Sequence, residues 1–388
     1  MTKKITCVLI NRSNYARLKP VLEILRDSPK ADLNLICSGS MPHHQYGRAV
    51  DEVLADNFAI EQQIYTELLG SNPNTMAKSI GVGLIDCATA FDRLKPDFVL
   101  LIGDRYEALS VAIAAVMQNI CLIHIQGGEV TGTIDESVRH SITKMAHYHF
   151  PATEKARQRI LAMGENPDTV FMYGCPFVDV IAGADKELPA NLNDRGTGSV
   201  IDFTRPYVLC VFHPVTTEYG TAEANMSKVL QVFYRLNEQV VMLWPNIDAD
   251  SNGISRAIRK FMAEKPNFPL RIYKHLEGDT YIALMDKAAV LVGNSSSFVR
   301  DAGPLGAPVV LIGNRQDGRE WGDNVMRRNM DEFEDPIFMI RCYDKFSPNY
   351  IYGKPGAARK IADKILELEP YSQKRFYDRI TGNTATSL

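Results

Sequence analysis

Five times in the first half of the chain, and five times again in the second, an unbroken apolar run gives way to a stretch with helical periodicity. The runs ITCVLI (5–10), LNLICSG (33–39), DFVLLIG (97–103), CLIHIQG (121–127) and TVFMYG (169–174) alternate with YARLKPVLEILRD, TMAKSIGVGLIDCATAFDRL, EALSVAIAAVMQ and ESVRHSITKMAH. A strand without polar alternation is one whose sheet is covered by helices on both faces, and strand–helix alternation asks for a parallel α/β sheet. Residues 181–206, IAGADKELPANLNDRGTGSVIDFTRP, carry Gly, Pro, Asn and Asp without periodicity and read as a linker. The pattern then restarts with YVLCVFHP (207–214), QVVMLWPN (239–246), LRIYKHL (270–276), AAVLVGN (288–294) and APVVLIGN (307–314). The expected fold is α/β: two doubly wound, Rossmann-like domains, residues 1–185 and 200–370, with a cleft between them. The helical stretches Ala357–Glu369 and Tyr371 onward are expected to cap the second domain, with a last helix at about 371–388 crossing back to the first.

Composition narrows the function. A net charge of −3 gives no bulk attraction to nucleic acid or to an anionic membrane. The longest apolar stretch, near Ala108–Met117, is far short of the ~20 residues of a membrane span. The start, MTKKITCVLI, enters a strand with no signal-peptide cleavage pattern, and the seven cysteines include no C-x-x-C pair. Cys7, Cys37, Cys121 and Cys210 sit in apolar runs and read as reduced core residues of a cytoplasmic protein. None of the eight histidines has a metal-binding spacing, and HYH at 147–149 reads as alternation along a strand, so no metal and no cofactor is expected.

Paired α/β domains bind ligands outside the carboxyl ends of their strands, and the polar residues of this chain collect there. After the first strand, Arg12 and Arg17 flank a helix start, an arrangement that suits an anion but also a solvated basic turn. G-D-R-Y-E places Asp104, Arg105 and Glu107 at a strand-to-helix junction, where helix capping and a site role are both available. In the second half, strand ends bring His213 with Thr216 and Thr217, then Asn246, then N-S-S-S (294–297), then Arg315. Together they point to a phosphate-bearing ligand. There is no G-x-x-x-x-G-K-[ST], and no G-x-G-x-x-G after the first strand, which disfavours a P-loop or an ordinary dinucleotide site. HIQGGEVTGTIDESVRH (124–140) adds two glycines and a cluster of acids to the end of a buried strand.

The segments R-S-N-Y-A-R-L-K-P, G-D-R-Y-E, G-G-E-V-T-G-T-I-D-E-S-V-R-H-S-I-T-K, F-H-P-V-T-T-E, V-G-N-S-S-S and N-R-Q-D-G-R-E resemble, in order and spacing, the hydrolysing UDP-N-acetylglucosamine 2-epimerases. The match runs from about Lys3 to Asn324. The resemblance implies a GT-B-like fold. It also implies elimination of UDP from a UDP-HexNAc to a glycal, then hydration with inversion at C2. From UDP-GlcNAc this yields N-acetylmannosamine, the entry to sialic acid synthesis. Arg12, Arg105, His213, Asn246, Ser295, Ser296 and Arg315 match positions that hold UDP, and Asp301 one that holds the ribose. Leu276 joins the substrate pocket, and His43, in S-G-S-M-P-H (38–43), falls where the family places a histidine near the sugar. Asp104 and Asp135 match catalytic carboxylates, with His213 counted beside them. The implied partners are UDP-HexNAc and UDP, in a homodimer or homotetramer.

Three positions depart from the family pattern. Its Gly-Thr-Arg opening is here Ile10-Asn11-Arg12, Asn14 stands where an acid is common, and Gln126 stands where several members have a catalytic glutamate. An amide accepts no proton from C2. Either Gln126 is an isosteric knock-out, or this chain uses Glu129, which leaves the same glycine-rich turn; the second is the expectation. UDP-2,4-diacetamido-2,4,6-trideoxyglucose, on the legionaminic acid route, competes with UDP-GlcNAc as substrate. A GT-B glycosyltransferase and a non-catalytic UDP-sugar binding protein are the rival classes.

Overall fold

The computed structural model describes residues 2–334, 344–378 and 383–384. The first sheet holds β1 (Lys3–Leu9), β2 (Ala31–Cys37), β3 (Ile60–Gln63), β4 (Phe98–Ile102), β5 (Cys121–Ile125) and β6 (Tyr148–Phe150). All are parallel, in the order β3-β2-β1-β4-β5-β6. The second sheet holds β7 (Thr197–Gly198), β8 (Tyr207–Val211), β9 (Gln239–Leu243), β10 (Leu270–Tyr273), β11 (Val290–Gly293), β12 (Val309–Ile312) and β13 (Val325–Arg328). Its order is β13-β12-β11-β8-β9-β10-β7. Apart from β7, an antiparallel edge, the second sheet repeats the winding of the first, read from β10 to β13. In each sheet the order reverses beside the first long strand, between β1 and β4 and between β8 and β11. Ligand sites of open α/β sheets form at such switch points.

The apolar runs behave as two-faced strands. Ile5, Cys7 and Leu9 of β1 point into one core with Leu18, Leu22 and Leu25 of the helix Arg12–Arg26. Val8 and Ile10 point into another with Phe91, Val111 and Ala115. Tyr207, Leu209 and Val211 of β8 are divided in the same way from Val208, Cys210 and Phe212. The helix Pro73–Leu94 starts where Asn72 and Thr75 form a capping box with proline at the first position. Cys7, Cys37, Cys121 and Cys210 are buried and unpaired.

Four expectations need correction. TVFMYG makes a single bridge, His149 to Val170, and no strand, because β6 already closes that edge of the sheet. Residues 181–206 are not free coil. Leu192 and Ile201 enter the second core, β7 pairs with β10, and Arg271 binds the carbonyls of Asn193, Arg195, Gly198 and Ser199. The helix Ala357–Glu367 does not cap the second domain. Its Ile361 and Ile365 complete the core around β1, burying the face opposite its charged side. Residues 371–378 are not helical; they run back along the first domain, where Tyr371 donates to the His147 carbonyl at 3.1 Å. The rest of the expected last helix lies outside the described residues, apart from a short pairing of Tyr377–Asp378 with Asn383–Thr384.

Candidate active site

The cleft is lined from both domains, and many of its polar residues stand just past a strand's carboxyl end. On the first domain β4 gives out into Gly103, then Asp104 and Arg105, before the helix Tyr106–Met117 begins. The Gly103 carbonyl lies 2.8 Å from Nε2 of His124, whose Nδ1 lies 3.2 Å from the Thr143 hydroxyl. A carbonyl only accepts, so the imidazole proton is on Nε2. Burial pulls the His124 pKa down to about 3, so the ring is a neutral brace for the turn. Arg105 grips Glu107 at 3.1 and 2.9 Å and reaches across to Asp248 of the second domain.

The glycine-rich turn after β5 divides its acids by role. Gln126 takes a left-handed φ of 65°, its N–H bonds the Phe150 carbonyl at 2.9 Å, and its side-chain amide lies 3.0 Å from Cys175 Sγ. It therefore points back into the protein. Gly128, φ 78°, passes so close to the next helix that a Cβ would sit 2.3 Å from the Ala156 carbonyl. Glu129 is turned onto the second domain: Oε1 accepts from Arg300, and Oε2 accepts from Arg319 at 2.9 Å. Neither Gln126 nor Glu129 lines the cleft. Burial pushes the Glu129 carboxyl up, but Arg300, Arg319 and Arg139 outweigh it and hold it below the ordinary glutamate value. Both Glu129 oxygens are thus engaged by guanidinium groups, and a carboxylate so stabilised is a poor proton acceptor. Glu136 serves the turn, accepting the Thr131 N–H at 2.7 Å.

Asp135 is different. It opens the helix Asp135–Met145 and lines the cleft, and its nearest cation, Arg315 Nη2, stands 3.8 Å away. Burial, with the charges of Asp104 and Asp248, lifts it to about 6. Asp104 has the opposite fate. Burial raises it, yet Arg139 and Arg319 more than compensate and hold it well below the usual carboxylate range. Two neighbouring carboxylates with pKa values driven apart are a recognisable acid–base arrangement.

The second-domain wall is a set of donors. His213 Nδ1 accepts the Asn246 N–H at 3.3 Å, so its proton is on Nε2, and burial holds the ring neutral with a pKa of about 3. Asn294 ties the His213 backbone at 2.7 and 2.8 Å. Ser295 caps the short helix Ser296–Arg300 by accepting the Ser297 N–H. Asp248 gathers Asn246 at 2.6 Å, Arg105, and Arg315 at 3.7 Å. Arg12, Leu276, Ser296 and Asp301 also line the cleft. Arg12 bonds the Lys274 carbonyl at 3.1 Å, and Asp301 bonds Arg17 at 2.6 Å, both across the domain boundary. His43 is not in this wall. It borders a separate recess with Glu67 and Leu69, which shares Tyr46 and Ile247 with the cleft.

The profile of the family described as UDP-N-acetylglucosamine 2-epimerase matches residues 23–366. The chain belongs to that family. A hydrolysing UDP-N,N'-diacetylbacillosamine 2-epimerase of Legionella pneumophila is 36% identical over 326 residues, 84% of this chain and 85% of the relative. A UDP-N-acetylglucosamine 2-epimerase of Neisseria meningitidis serogroup B is 29% identical over 97% of this chain and 99% of its own. The crystal structure of the Neisseria meningitidis UDP-GlcNAc 2-epimerase bound to UDP-GlcNAc superposes with a TM-score of 0.76. It covers 94% of this chain and 100% of its own at 16% identity, a likeness of fold.

In this chain the two domains meet through opposite charges: Asp104, Glu129 and Asp135 with Arg319, Arg300 and Arg315, and Arg17 and Arg105 with Asp301 and Asp248. Asp248, Arg300 and Arg319 carried no role in the sequence reading. Arg319 sits inside N-R-Q-D-G-R-E, and Asp248 two residues beyond Asn246, so adjacency to recognised motifs was their only signal. The backbone closes at Gly132, whose N–H bonds the Arg315 carbonyl at 3.2 Å. A Cβ there would lie 2.0 Å from the Asn314 carbonyl. Gly132→Ala is therefore expected to hold the domains apart and to cost about 10²-fold in kcat, the scale of a misplaced reacting group. Small-angle scattering with UDP bound should give a larger radius of gyration than wild type; an equal radius and full rate would remove this contact as the point of closure.

Proposed function

We propose that the chain is a hydrolysing 2-epimerase that converts UDP-GlcNAc and water to N-acetylmannosamine and UDP. The observation that carries this is Asp135: a buried cleft carboxylate, lifted to about 6, facing the donor wall of the second domain. A C2–H beside an acetamido group is a weak acid, and its removal needs a positioned base that titrates near neutrality in a site closed to water. Asp135 takes that proton, the C2–H electrons form the C1–C2 double bond, and the C1–O bond breaks with its pair on the UDP phosphate. His213, neutral with its proton on Nε2, donates to the departing phosphate, while Arg315, Asn246 and the Ser295–Ser296 turn hold it. Water then adds across the glycal: hydroxyl to C1, a proton to C2 from the opposite face. Asp104, kept ionised, supplies the fixed negative charge beside the sugar.

The Legionella relative supports a second reading in which the donor is UDP-2,4-diacetamido-2,4,6-trideoxyglucose. Mass spectrometry of products from both donors in D₂O decides. The expected result is UDP plus a free 2-epimer carrying one deuterium at C2, with no acceptor added. A UDP-linked epimer would mean a non-hydrolysing enzyme. Binding without UDP release would mean a sensor, and a requirement for an acceptor a glycosyltransferase.

The same wall makes a binding prediction. Arg315→Ala removes a charged donor and should weaken UDP by about 1–3 kcal/mol, read by titration calorimetry. Unchanged affinity would move the phosphates elsewhere.

A further inference from the structure

Asp104, Glu129 and Asp135 of the first domain meet arginines of the second domain around the cleft. Among the described residues, the first-domain cation hydrogen-bonded to their segments is Arg139, which holds Asp104 Oδ2 and, at 2.8 Å, the Glu129 carbonyl. The other arginines that bond or pair with these three carboxylates come from the second domain. Arg300 reaches Glu129 alone, and Arg315 stays 3.8 Å from Asp135. Arg319 spans two acids: Nη1 lies 2.9 Å from Glu129 Oε2 and Nη2 lies 3.2 Å from Asp104 Oδ2. Arg139, Asp104, Arg319 and Glu129 thus make a closed ring, half of it carried by each of two arginines from opposite domains.

We infer that Arg319 is the positioning residue through which domain closure completes the catalytic half-site of the first domain. It enters from the second domain, clamps Asp104 against Arg139, and leaves Asp135, in the cleft, with Arg315 no nearer than 3.8 Å. What the clamped site then does rests on the proposed reaction; the clamp itself is a statement about geometry.

The charges around Asp104 give the clamp its sign. It is faced by Arg139 and Asp135 from the helix Asp135–Met145, by His124 from β5, and by Arg315 and Arg319 from the loop after β12. His124 is neutral and Asp135 is repulsive, so the arginines alone oppose the burial that favours protonation. Without Arg319, Asp104 keeps one bonded arginine, and its oxygen is free to swing.

The test follows Asp104 by carboxyl ¹³C titration of UDP-saturated protein, with Asp104→Asn to assign the signal. In wild type Asp104 should stay ionised down to the acid limit of folding. In Arg319→Gln its midpoint should rise by about one pH unit or more, the usual effect of losing an adjacent arginine. In the same variant kcat should fall about 10²-fold, with KM and the UDP Kd within about threefold, as for a displaced catalytic group. Arg319→Lys, which keeps the charge but not the fork, should recover part of the rate. An Asp104 titration identical in wild type and Arg319→Gln would overturn the inference. So would a UDP Kd that weakens in step with kcat/KM, which would make Arg319 a phosphate ligand. A wild-type protein that releases no UDP from either donor would sink the proposed reaction and leave the titration to judge the clamp.

Discussion

Asp135→Asn is expected to lower kcat by about 10²–10⁴-fold, the worth of a general base, and to abolish deuterium exchange into C2. UDP affinity should hold or rise, because the substitution removes a negative charge from the neighbourhood of Arg315 and the phosphates. The pH dependence sharpens the test. A base works only when ionised, and burial with the charges of Asp104 and Asp248 lifts Asp135 to about 6 in the free protein. In wild type kcat/KM should therefore fall tenfold per pH unit below about 6 and level off above it. That limb should be missing from the residual activity of the variant. His213 does not confuse the reading, since its pKa is drawn down to about 3 by burial. A variant that keeps full rate and full C2 exchange, or a wild type with no acid limb between pH 5 and 7, would remove Asp135 from the role.

The fold was legible because its signal is large. Ten apolar runs were read as strands, and nine of them lie over buried strands of the two sheets. The tenth, TVFMYG, is apolar for a different reason: Phe171 and Tyr173 pack with Phe150 and Tyr148 at the edge of a finished sheet. Burial alone does not separate those cases in a sequence. The missed strands β3, β7 and β13 are edge or near-edge elements of 4, 2 and 4 residues with polar content, such as IEQQ and VMRR. The candidate site was legible as a place, since the strand-end residues His213, Asn246, Ser295 and Arg315 all line the cleft. The division of labour among the acids was not. Gln126 and Glu129 lie three residues apart, but the left-handed residue at 126 and the tight glycine at 128 send one side chain toward Cys175 and the other toward Arg300. Only the cross-domain partners decide whether a carboxylate is a base or one half of an ion pair, and those partners are about 170 to 190 positions away.

Glu129→Gln should consequently behave as a stability mutation first. Both carboxylate oxygens of Glu129 are bound to arginines of the other domain, and its side chain is 5% exposed beside guanidinium groups 3% and 5% exposed. Removing the charge leaves Arg300 buried without its bonded carboxylate and Arg319 with Asp104 alone, both near Arg139. Arg300 already has Nε and Nη2 without a hydrogen-bond partner. Breaking one side of such a buried pair costs about 3–5 kcal/mol. The expected result is a markedly lower denaturation midpoint and a UDP-bound radius of gyration larger than wild type. The sign with pH follows from the direction of the shift: Glu129 sits below its ordinary value in the folded state. Its contribution is therefore fully present above the unfolded glutamate pKa of about 4.3 and is lost as pH falls toward the lower folded value. The gap in stability between wild type and variant should shrink in that acid window and stay constant from pH 6 to 8. Gln126→Glu is the companion measurement. It would bury a carboxylate beside Cys175 in place of the amide contact, so it should destabilise and should not raise turnover. If Gln126→Glu instead restored a nearly dead protein, Gln126 would be an inactivating residue after all. If Glu129→Gln lost C2 exchange while keeping wild-type stability and closure, Glu129 would regain the role of base. The geometry predicts the reverse of both: rate follows Asp135, and cohesion of the two domains follows Glu129.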